Sequence, residues 1–83
     1  MTYEVFVSHL PKNLDKDKIE KDFKKIHDMS LSNHGINWTN FNKHGFFVVQ
    51  CHWNFAHMTR TIADLLEVLN TNGIKKAHFG VSY

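Results

Sequence analysis

Val5-Phe6-Val7-Ser8-His9-Leu10-Pro11 is the stretch on which the fold turns. Its β-branched and aromatic start favours an extended strand, and Pro11 with Asn13 marks the turn that follows. Successive side chains on a strand point to opposite faces. Tyr3, Val5 and Val7 therefore share one face, and Glu4, Phe6 and Ser8 share the other. The first set suits a core. Phe6 stands among polar neighbours on the second, where an aromatic ring on an open sheet face can serve as a stacking platform.

The pattern extends outward from this strand, which is read over residues 3–8. Asp15 is a good N-cap for a helix from about 16 to 27, with Leu14 and Ile19 placed as a hydrophobic staple across it. Ile19, Phe23 and Ile26 form its apolar stripe. Residues 27–43 should hold one strand, at Gly35–Thr39 or Met29–Ser32, before a turn at Asn40, Asn42 and Lys43. Phe46-Phe47-Val48-Val49-Gln50-Cys51 reads as a strand entered through Gly45. Asn54 caps a second helix with Met58, Ile62, Leu65, Leu66 and Leu69 on its buried stripe, and Asn72-Gly73 stops it. A last strand runs from about Lys76 to Tyr83, with Phe79, Val81 and Tyr83 on one face. The order is β-α-β-β-α-β. It predicts an α+β, ferredoxin-like sandwich with two helices on one face of a four-stranded antiparallel sheet, forming a single domain over residues 1–83.

Composition narrows the function classes. The 83 residues, 42% hydrophobic and 22% charged, suit one modest soluble core. No apolar run is long enough to span a membrane, and no secretory leader pattern follows Met1. The single cysteine, Cys51, leaves no internal disulfide, so a reducing, cytoplasmic or nuclear setting is expected. That setting discounts Asn37-Trp38-Thr39 as a glycosylation acceptor. The formal charge of +2 is weakly basic. Lys16, Lys18, Lys21, Lys24 and Lys25 alternate with Asp15, Asp17, Glu20 and Asp22, the pattern of a solvated helix face rather than a phosphate stripe.

On the expected open face lie Glu4, Phe6 and Ser8 of the first strand, His44, Phe46, Val48 and Gln50 of the third, and Lys76, His78 and Ser82 of the fourth. Phe6 and Phe46 would be neighbours, because the first and third strands are central in this topology. Val5-Phe6-Val7-Ser8-His9-Leu10 resembles the first-strand hexamer of RNA-recognition motifs, with His9 in place of Asn. Pro11, Asp15, Ile19 and Phe23 look like the family's continuation into the first helix. His44-Gly45-Phe46-Phe47-Val48-Val49-Gln50-Cys51 is similar to its third-strand octamer at Gly45, Phe46 and Val49, and departs from it at His44, Phe47, Val48 and Cys51. The resemblance is specific over residues 5–23 and partial over 44–51. It implies single-stranded RNA binding, with Phe6 and Phe46 stacking bases and His44, Gln50, Lys76 and His78 supplying polar and phosphate contacts. Val48 stands where the family usually carries a further stacking aromatic, so that role does not transfer.

Other readings remain beside it. The same face could dock a protein, as a homodimer or as a small inhibitor or adaptor on a host factor, and the Asn- and Lys-rich chain would suit a virus- or phage-encoded protein. Trp38 and Trp53 fit either a core edge or an interface. No Cys-x-x-Cys or His-x-x-x-His spacing is present, so neither a metal nor another cofactor is expected. His57-Met58-Thr59 and His78-Phe79-Gly80 only faintly match the paired motifs of two-histidine phosphoesterases, and Cys51 should point inward. A non-enzymatic role is expected.

Overall fold

Six elements follow one another in the computed structural model, which describes residues 2–29, 35–52 and 54–82. They are β1 (Thr2–Ser8), α1 (Lys16–Ile26), α2 (Phe41–His44), β2 (Phe47–His52), α3 (Phe55–Thr71) and β3 (His78–Ser82). The architecture is α+β. The three strands form one antiparallel sheet in the order β2-β1-β3, so β1 is central.

Both long helices start where their caps dictate. The Asp15 carboxylate accepts the Lys18 amide, and the Asn54 side-chain oxygen accepts those of Ala56 and His57. α3 ends at Thr71 with Asn72 as its C-cap, followed by Gly73 in the left-handed region at φ 79°. The core forms between the helices and one face of the sheet. Val5, Val7, Phe47, Val49 and Cys51 enter it from the strands, Ile19 and Phe23 from α1, and Leu65, Val68 and Leu69 from α3. Trp38 packs against this core, its ring 4.9 Å from Phe47 and its indole N–H donating to Glu20 of α1 at 3.1 Å. It closes the core edge.

The arrangement is compatible with a ferredoxin-like fold but has three strands among the described residues where four were expected. The expected strand at Gly35–Thr39 shrinks to a single bridge. Asn37 exchanges both backbone hydrogen bonds with Val48, at 2.8 and 3.1 Å. Pairing stops there because the Asn37 side chain accepts the Thr39 amide at 2.9 Å and turns the chain away. The alternative strand at Met29–Ser32 falls mostly outside the described residues, as do His34, Trp53 and Tyr83. The expected turn at Asn40, Asn42 and Lys43 is instead the short helix α2. Gly45, at φ 76°, closes it by donating its N–H to the Phe41 carbonyl at 2.9 Å.

The buried stripes also differ from expectation. Ile26 is 42% exposed, and His27 takes the inward position, its ring stacked on Phe23 at 4.5 Å. His27 Nδ1 lies 2.8 Å from the buried Asp64 carboxylate on α3, which also accepts from Arg60 Nε at 3.1 Å. On α3, Leu66 is 50% exposed, while Val68, Thr61 and Asp64 are buried. A hydrogen-bonded polar cluster thus takes part of the interhelical seam that apolar periodicity alone assigns to isoleucine and leucine. Val81 lies on the helix-facing side of β3 but is 40% exposed, because β3 is an edge strand. No helix among the described residues is long and apolar enough to cross a membrane.

Candidate nucleic-acid interface

The strand register fixes the composition of the face turned away from the helices. Ser8 pairs with His78, Phe6 with both Val48 and Gly80, and Glu4 with both Gln50 and Ser82. Because facing residues share a side, these make three cross-strand rows on one surface. The middle row is Val48, Phe6 and Gly80. Phe6 therefore has an aliphatic neighbour on one flank and no side chain on the other. Above Gly80 there is open space, since a Cβ built there would meet nothing within 4 Å.

Phe46 stands one residue before β2 and is half-buried. Its ring centroid is 5.7 Å from that of Phe6 with the planes tilted by 52°, an ordinary aromatic pair. The turn at Gly45 aims it there. His44 continues the run, its ring 6.2 Å from Phe46 at 27°. At the Ser8 end, His9 and His78 stack face to face with centroids 3.7 Å apart, and the Ser8 hydroxyl and His9 Nδ1 lie 3.2 Å apart. His9 reaches this position through a backbone φ of 60°, uncommon for a residue other than glycine.

The residues expected on this face fare differently. Phe6 and Phe46 come together as expected, and Gln50 and His78 lie on the face. His44 does not lie on the strand. It is the last residue of α2, and it reaches the Phe46 ring only through the Gly45 turn. Lys76 is not in the last strand either, which starts at His78; it is an exposed residue of the preceding connection. Val48 is on the open face yet only 7% exposed. The Gln50 amide donates to Glu4 at 3.4 Å, so a carboxylate occupies the row on the far side of Phe6 from His78.

His9 carries the clearest geometry that sequence reasoning passed over. Its number places it beyond the strand, and only its left-handed backbone returns the ring to His78. The register also gives the face a polarity. The end of β1 and the starts of β2 and β3 meet at one edge, where Lys12, Lys43 and His44 line one groove and His9 stacks on His78. Glu4 lies toward the opposite edge.

The other chemistry-bearing groups are set apart. Cys51 is buried on the helix side, where burial pushes its thiol up and a hydrogen bond with Thr61 partly opposes the shift. His57 is in the first turn of α3, its ring 6.3 Å from that of His52. Among the described residues no three His, Cys, Asp or Glu side chains form a group that could hold a metal ion. Comparison with known proteins returns no match to a family model, to a curated protein or to a solved structure.

Proposed function

We propose that the chain is a ferredoxin-like module, similar to an RNA-recognition motif, that binds single-stranded RNA without catalysis on the open face of its sheet. The observation that carries the reading is the tilted Phe6–Phe46 ring pair on the side opposite the helices. The open space over Gly80 would let a base approach Phe6. His44, His78 and the unused hydrogen-bonding capacity of Gln50 surround the pair, able to meet base edges. Base stacking on an aromatic is worth about 1–3 kcal/mol, so loss of either ring should weaken binding by roughly 5- to 150-fold.

One observation favours a second reading, docking of a protein on the same face. Glu4 places a carboxylate within the surface, where it repels phosphate and would suit a basic partner. Fluorescence anisotropy with labelled single-stranded RNAs at low and physiological salt separates the two. Binding that falls with salt and is lost in Phe6→Ala and Phe46→Ala supports the RNA platform. A folded parent that binds no RNA even at low salt sinks it and leaves protein docking.

A further inference from the structure

Beside the aromatic face, a groove of about 370 Å³ opens between the β1–α1 connection and α2. Leu10 and Phe41 give it an apolar lining, and Gly45 contributes backbone at its edge. Lys12 approaches from one wall, Lys43 and His44 from the other, and no carboxylate lines it. Among the described residues neither Lys12 nor Lys43 has an ion pair or a side-chain hydrogen bond. Lys16 differs: it donates to Asn42 at 3.0 Å and rests 5.1 Å over the Phe41 ring, holding α2 against the start of α1. Nearby Asp15 is turned to the Lys18 amide at the start of α1.

We infer that this groove is a phosphate-binding site, in which Lys12 and Lys43 meet a backbone phosphate of the strand whose base stacks on Phe46. The inference rests on the RNA reading for the identity of the strand, and on the groove itself for the phosphate. Two unpaired ammonium groups with no carboxylate among the lining residues form a local field that the weak net charge of the whole chain conceals. His44 belongs both to the groove and to the ring series that continues through Phe46 to Phe6. A nucleotide bridging the two would place its base on the rings and its phosphate between the lysines. Glu4, toward the other edge of the sheet, opposes the reverse placement.

Two titrations test the site. The first follows binding of a labelled oligouridine RNA across a salt series in the parent, in a Lys12→Gln/Lys43→Gln double variant and in Phe46→Ala. Each phosphate contact to a single strand contributes about 0.7 to the slope of log affinity against log salt. The double variant should therefore lose about 0.7 of that slope, and Phe46→Ala should weaken binding with the slope unchanged. The second follows backbone amide shifts in the parent as inorganic pyrophosphate is added, with changes expected at Lys12, Lys43 and Gly45. RNA binding that needs Phe46 but keeps its full slope in the double variant overturns the groove and leaves the platform standing. Pyrophosphate shifts at the groove in a parent that binds no RNA support the phosphate site and overturn the platform alone.

Discussion

Phe46 and Phe47 are adjacent in the chain and lie on opposite sides of the sheet. Phe47 has no solvent exposure and packs beneath the helices with Trp38, while Phe46 is half-buried and leans on Phe6. The two sides of the sheet use the same residue type for different ends. On the helix side, rings fill volume between layers and are fixed by neighbours all round. On the open side, two rings touch mainly each other. Burial and edge contacts therefore distinguish a core aromatic from one on the open face, where composition cannot.

The largest effect that tests this contrast is the loss of each ring in turn. Phe47→Ala should cost about 3–5 kcal/mol, the usual range when a core aromatic leaves a cavity. Phe46→Ala should cost about 1 kcal/mol, because only a ring pair and a partly covered surface are lost. Urea unfolding with an unchanged m-value measures both. Similar losses at the two positions would make Phe46 a core residue and remove the platform.

Polar groups give a second contrast, of somewhat smaller size. Asp64 is buried under the helices between His27 and Arg60, whereas Glu4 meets Gln50 at the long distance of 3.4 Å on the open face. Removing one member of a buried pair strands its partner, so Asp64→Ala should destabilise by about 3 kcal/mol. Glu4→Ala should stay within about 0.5 kcal/mol, because the half-buried carboxylate gives up only that one long contact. Equal, small losses at both sites would mean that the His27–Asp64 contact does not hold the helices together.

The alternation in residues 3–7 was legible because every core position there is apolar and needs no distant partner to be read. Asp15 and Asn54 were legible for a similar reason, since a cap bonds to amides two or three residues away. Legibility failed where a tertiary partner decides. Positions 26 and 27 both follow Phe23 at helical spacing, and a hydrophobic criterion selects Ile26. The seam selects His27, because Asp64 waits on α3 and Phe23 offers a face to stack on. Residues 40–44 look like a polar turn, yet Gly45 closes them into a helical turn against Phe41. At the candidate site, alternation reveals Phe6 and Phe46, but the His9–His78 stack depends on a single left-handed residue that no periodic pattern encodes.

The smallest effect concerns the rim of the helix side. Asp22 on α1 accepts from the Lys18 amine at 2.8 Å and from the Asn72 side-chain amide at 3.1 Å, while Asn72 also donates to the Val68 carbonyl. It thereby clasps α1 to the end of α3. The hydrogen bond from Lys18, then that from Asn72, hold its carboxyl below the ordinary value of 3.8, with slight burial acting against them. A carboxyl that is more acidic when folded stabilises fully above its unfolded pKa, and that stabilisation drains as pH falls through the lower folded value. Stability of the parent should accordingly decline as pH falls below 3.8, and Asp22→Asn should show a shallower decline over the same range. At neutral pH the variant should be slightly less stable, and under the proposed function its RNA affinity should match the parent's, because the clasp and the open face lie on opposite sides of the sheet. Parallel acid limbs in urea-unfolding series would show that Asp22 is no clasp. A change in RNA affinity would show that the two sides are coupled through β1, the strand that both share.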